Sequence, residues 1–151
     1  MHISAKAEYA MRAMLTLADT PVGAMTADRL ASAQDLPVKF LENILVELRR
    51  GGLVISQRGA EGGYRLARPA DEITAADVLR QVDGPLAGVR GVRPEAAVYA
   101  GPAAHLQAVW VAARASLRSV LEEVTLADIV AGRFPEPVAA LIADPDAWQT
   151  R

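Results

Sequence analysis

The sequence predicts a mainly α-helical fold: three short helices, a two-stranded hairpin and a long helix toward the C-terminus. Three observations carry this expectation. Of the 151 residues 52% are hydrophobic but only 5% aromatic, and the apolar mass is mostly Ala, Leu and Val, which suits a folded, helix-rich protein. Apolar residues recur at three- and four-residue steps in several windows. One β-branched run, "LVIS", leads into a glycine-rich turn and a second, alternating segment. At this length one domain with a core of its own is expected.

In the first window, roughly 3–19, Ala10, Met14 and Leu17 fall at i, i+4 and i+7 with Met11, Leu15 and Ala18 beside them, so the segment reads as an amphipathic helix. "DTPVGAM" interrupts it, and Thr26 then stands where an N-cap belongs, ahead of a short second helix, "ADRLASAQ". After the turn "QDL", Pro37 is placed as the first residue of a third helix, "PVKFLENILVELRR", which stops at Gly51 and Gly52. "LVIS", the turn "RGAEGG" and "YRLA", where Tyr64 and Leu66 alternate with Arg65 and Ala67, make a hairpin. "ITAADVLRQVDG" begins with the capping-box pattern Thr74-x-x-Asp77 and ends at Gly84. Residues 84–104, rich in Gly, Pro, Ala and Val, show no period and read as a loop. From about 103 to 123 Leu106, Val109, Trp110, Ala113, Leu117, Val120, Leu121 and then Val124 form an apolar stripe. A second capping box, Thr125-x-x-Asp128, opens a short helix, and the tail carries a short helix at best. Helix, helix, helix, hairpin is the order of a winged helix-turn-helix.

The formal net charge is only -2, yet it is unevenly spread. Residues 1–69 hold nine Lys and Arg against seven Asp and Glu, whereas residues 70–151 hold seven against eleven. Within 49–68, Arg49, Arg50, Arg58, Arg65 and Arg68 face a single acid, Glu61. In the third helix Leu41, Leu45 and Leu48, with Phe40 and Ile44 beside them, form a core face. Lys39, Glu42, Asn43, Val46, Arg49 and Arg50 occupy the other. A free polar face followed by a basic hairpin suits duplex DNA, the helix in the major groove and the hairpin tip on phosphates or in the minor groove. The bland reading stays open: cations also blunt exposed hairpin edges, and Glu42 and Asn43 also suit an ordinary helix surface. A carboxylate facing phosphates is less odd if it accepts from cytosine N4. The long helix reads either as a core helix or as a dimer seam. About 20 residues span roughly 30 Å, more than a module this size easily covers, so a symmetric dimer is expected.

Other classes are poorly supported. The absence of cysteine excludes disulfides, thiolate zinc, cysteine-ligated clusters and a cysteine nucleophile. "GAEGG" lacks the Lys-Ser/Thr of a P-loop and lies between strands. His2 and His105 stand far apart without a motif. No enzyme, metal site or cofactor is expected. The N-terminus lacks a signal peptide's basic-then-apolar layout, and no stretch approaches the roughly 18 to 20 apolar residues of a membrane span, so a cytoplasmic location without a membrane partner is expected.

Taken in order, "SAKAEYAMRAML", "LPVKFLENILVELRRGGLV", "RGAEGGYRLARP", "ITAADVLRQVDGPL" and "LEEVTLADIVAG" are together specific, and the chain resembles the Rrf-two family of bacterial winged-helix transcriptional regulators. The resemblance implies a homodimer built on the long helix, a palindromic operator and a wing in the minor groove. It places Glu42 and Asn43 on the recognition helix, Arg58 with its neighbour Gly59 on the wing, and Lys6 as a phosphate contact. Cluster-binding members carry three cysteines in the loop before the long helix, where this chain has none. Glu8 falls where some members supply an acidic ligand from the partner subunit, and Gln107 rather than His105 occupies the family's histidine position. Sensing through iron–sulfur chemistry is therefore not expected.

The expected organisation is a winged helix-turn-helix in 1–69, a connecting helix and loop in 70–101, a dimerisation helix with a following short helix in 102–132, and a tail in 133–151. The DNA-facing set is Lys6, Lys39, Glu42, Asn43, Arg49, Arg50, Arg58, Gly59 and Arg65; the dimer seam is Leu106, Val109, Trp110, Ala113, Leu117, Val120 and Leu121. Leu86, Val89, Tyr99, His105 and Trp110 mark a region where a small apolar or aromatic molecule, or a protein, could dock as effector. The expected function is a DNA-binding regulator, a repressor. The competing class is a protein-interaction module with a vestigial winged helix.

Overall fold

In the computed structural model, which describes residues 2–20 and 22–150, the chain forms seven α-helices and one two-stranded sheet among those residues. Helix α1 runs Ala5–Asp19, two residues later than the periodicity suggests, because the Ser4 hydroxyl accepts the Ala7 N–H at 3.0 Å and sets the cap there. Helix α2, Ala27–Gln34, is capped by Thr26 as expected. Asp35 then takes a left-handed conformation (φ 53°) that turns the chain into α3, Val38–Arg50. Pro37 lies just outside α3, at its cap, rather than inside it. Strands β1, Val54–Gln57, and β2, Gly63–Leu66, pair antiparallel with Val54 opposite Leu66 and Gln57 opposite Gly63.

A third chain segment joins this sheet, and the sequence does not advertise it. Met25, just before α2, exchanges backbone hydrogen bonds with Tyr64 at 2.9 and 2.7 Å. The wing is thereby tied to the linker between α1 and α2. Gly63 sits against Met25 at φ +138°, where any side chain would overlap the Met25 carbonyl.

Helix α4, Ala75–Asp83, and helix α6, Leu126–Ala131, each begin with the expected capping box. Their starts lie side by side: Thr74 pairs with Thr125, Ala75 N–H donates to the Val124 carbonyl and Leu126 N–H to the Ile73 carbonyl, both at 2.9 Å. Leu126 is fully buried in the same hydrophobic cluster as Met14, Leu30, Ile44, Leu48 and Val78. One core therefore joins α1 through α4 to α6, crossing the expected boundary at residue 69.

Helix α5 is Leu106–Leu121, 16 residues, which at 1.5 Å per residue gives about 24 Å. It is shorter than the stripe implied at both ends. Residues 101–103 form a 3₁₀ turn, and the chain bends away after Leu121 to bring Thr125 to Thr74. The loop before it is more ordered than its composition suggests, with 3₁₀ turns at Pro94–Ala96 and Gly101–Ala103 and a Val89–Val92 backbone pair. Phe40, expected beside the core face of α3, is 40% exposed and meets Tyr9 edge-on at 5.7 Å. The tail holds α7, Glu136–Ala143, with Val138 buried.

Candidate nucleic-acid interface

Leu41, Ile44, Leu45 and Leu48 are completely buried, so the helical period turns Lys39, Glu42, Asn43, Arg49 and Arg50 outward. Arg49 and Arg50 occupy the last turn of α3, where cations favour the negative helix end. Arg49 also donates to the Ser56 hydroxyl at 3.3 Å, linking α3 to β1. At the hairpin, Tyr64 and Leu66 pack against the core while Arg65 and its partner Ile55 face outward. The wing tip, Arg58 and Gly59, is exposed; Gly59 holds φ +105° and its carbonyl accepts the Gly62 N–H at 3.0 Å.

Among the described residues Lys39, Arg50, Arg58 and Arg65 make no ion pair, and neither does Glu42. Arg68 differs, lying 3.8 Å from Asp77. Lys6 differs more: its ammonium donates to the Val82 carbonyl at 2.8 Å and pairs with Glu47 at 2.7 Å, tying α1 to α4 and α3. That internal tie removes Lys6 from the exposed cations. Arg29 on α2, which the charge pattern did not single out, is exposed and unpaired among the described residues. Its signal was its place in the first turn after the Thr26 cap.

Helix α5 has no buried residue. Val109, Trp110 and Ala113 are exposed, while Leu106, Leu117, Val120 and Leu121 are half-buried. Val89, Trp110, Ala113 and Leu117 line a groove of about 410 Å³ together with Ala87 and Arg90. Tyr99 supports this groove from outside, its hydroxyl accepting the Trp110 indole N–H at 3.1 Å. The remaining effector-region residues lie elsewhere: Leu86 is in the core, and His105 is exposed at the start of α5.

The model of the family described as "Rrf2: Iron-dependent Transcriptional regulator" matches residues 3–132. The chain is 55% identical over 151 residues to an HTH-type transcriptional regulator of Mycobacterium tuberculosis, covering 99% of this chain and 94% of that one. It is 35% identical over 130 residues to CymR of Bacillus subtilis, covering 85% and 89%. Among solved structures, CymR, the global cysteine regulator of B. subtilis, superposes with a TM-score of 0.75 at 33% identity, covering 87% of this chain and 98% of that one. IscR of T. potens gives 0.72 at 29% identity, covering 100% and 93%.

The word "iron-dependent" does not fit the donors present. The chain has no cysteine, Glu8 is paired with Arg12 and Glu95 with Arg114, and Gln107 donates to the Glu95 carbonyl at 2.9 Å. No group of three or more His, Asp or Glu side chains is placed to hold a metal among the described residues. No helix there is long and apolar enough to cross a membrane.

Proposed function

Because the chain belongs to the Rrf2 family of transcriptional regulators, we propose that it binds double-stranded DNA as a homodimer on a palindromic operator, represses from there, and does so without an iron–sulfur cluster. The observation that carries this reading is the set of outward, unpaired cations Lys39, Arg50, Arg58 and Arg65 on one helix–wing module of a chain that is acidic overall. Helix α3 enters the major groove, where Glu42 and Asn43 reach base edges, and the wing carries Arg58 to the minor groove. Two copies of α5 cover each other's apolar stripe and set the spacing of the half-sites. The groove beside Trp110 receives an apolar effector or a partner protein, which shifts operator affinity only by binding the two states differently.

The reading is tested by titrating a fragment of the protein's own promoter region at several salt concentrations. Binding should weaken steeply with salt, and Arg58→Ala should reduce the slope by about one, roughly one counterion being released per phosphate contact. An unchanged slope would refute the role of the wing. No binding at any salt would favour a protein-interaction module.

A further inference from the structure

Four guanidinium groups converge on one recess that the DNA-facing surface does not include. Arg80 of α4, Arg93 of the preceding loop, and Arg114 and Arg118 one turn apart on α5 line a cavity of about 410 Å³ floored by Pro85 and Leu86. Two glutamates border it. Arg80 and Arg118 both bind Glu122, and Arg114 binds Glu95. Hydrogen bonds from Arg118 and then Arg80 hold the Glu122 carboxyl below its ordinary pKa, and one from Arg114 does the same for Glu95. Arg93 forms no ion pair among the described residues; its charge acts on Glu95 only at longer range, as the last and smallest of the causes that lower that carboxyl.

Stapling α4 and the loop to α5 accounts for the three paired arginines. It does not account for the fourth, nor for an excess of two positive charges in a half of the chain where acids outnumber cations. Guanidinium forks match carboxylate and phosphate oxygens, and the volume lies within the range of small-ligand sites. We propose that this recess binds a small polyanion carrying two or more carboxylate or phosphate groups. Arg80 immediately precedes Gln81, whose amide donates to the Glu47 carbonyl in α3 at 2.9 Å, so an anion that moves Arg80 also biases the recognition helix. This second step rests on the DNA-binding reading; the binding step does not.

The test uses calorimetry on the full chain with inorganic pyrophosphate and with citrate, against chloride at matched ionic strength; the two probes distinguish phosphate from carboxylate. At least one should bind saturably. Arg93→Ala should weaken it tenfold or more, whereas Arg90→Ala, which removes the same charge from the same loop outside the recess, should not. Because Arg93 is exposed and forms no close ion pair among the described residues, its loss should leave the circular dichroism unchanged. Heats no larger than chloride's, or equal weakening in both variants, would overturn the site. Saturable binding with unchanged operator affinity would overturn the coupling, and failure of the anion-free protein to bind DNA would instead indict the DNA-binding reading.

Discussion

Gln81 of α4 and Gly51 at the end of α3 share one space. The Gln81 amide donates to the Glu47 carbonyl at 2.9 Å, and a Cβ on Gly51 would fall on that amide. Gly51 has ordinary backbone angles (φ -80°, ψ 0°), so its need for glycine is the presence of Gln81 and not the conformation.

A double-mutant cycle should expose this. Gly51→Ala should displace Gln81 and forfeit its hydrogen bond, costing about 1 kcal/mol. Gln81→Ala should cost a similar amount. In the Gln81→Ala background Gly51→Ala should cost nothing further, a coupling of about 1 kcal/mol in urea melts. Additive costs would show that the two residues do not compete.

The same comparison separates two wing glycines. Gly63 and Gly59 both hold positive φ, +138° and +105°, but Gly63 lies against the Met25 backbone while Gly59 has open space. Gly59→Ala should cost about 1 kcal/mol of strain. Gly63→Ala should cost about 2–3 kcal/mol, because strain is joined by loss of the Met25–Tyr64 bonds. Equal shifts in the urea midpoint would remove the bridge as a wing anchor.

Which features were legible follows from how far apart their residues lie. Both capping boxes, the Thr26 cap and the hairpin could be read because each is written within a few residues. The outward polar face of α3 was legible because its buried face is strictly periodic. The Met25–Tyr64 bridge was not, since one residue pair across 39 positions leaves no pattern. The tie of Lys6 to Glu47 and Val82 likewise exists only after α1, α3 and α4 pack. Arg80, Arg93, Arg114 and Arg118 are spread over 38 positions with no shared period, and only the fold brings them around one recess. Helix α5 was read too long because periodicity cannot see that Val124 is recruited to the start of α4.

Glu42 is an exposed acid on a face otherwise basic or neutral. Glu42→Ala should relax base preference at one position per half-site, worth about 1–3 kcal/mol. It should also strengthen non-specific binding by removing a charge that repels phosphate. Selection from a random DNA pool checks this, and the same consensus for both proteins would refute it.

Stability should fall in acid through the carboxylates that hold α5. Glu122 is kept below its ordinary pKa first by the hydrogen bond from Arg118 and then by Arg80, and Glu95 by Arg114. A folded-state pKa below the unfolded one means that the contribution is full above the unfolded value and disappears as pH falls through the folded one. The loss should therefore begin as pH falls through the ordinary glutamate range and continue below it, and it should be smaller in high salt because these groups are partly exposed. Glu122→Gln should flatten that part of the urea-midpoint profile. An unchanged profile would mean that the pairs contribute nothing to folding.

The proposed dimer seam gives the sharpest separation between fold and assembly. Val109, on the stripe, is 56% exposed, and Val111, off it, is 42% exposed. Neither is buried in the single chain, so a charge at either position should leave the monomer's melting little changed. If two α5 stripes cover each other, Val109→Glu places two like charges in a desolvated seam, where burying an unpaired carboxylate is costly. That variant should sediment as a monomer and lose the tight operator complex, because a single half-site contact lacks the gain from joint engagement. Val111→Glu should remain dimeric and bind like the parent. Sedimentation velocity on both variants decides the matter: two dimers would displace the interface from this stripe, and two monomers would place it around the whole helix.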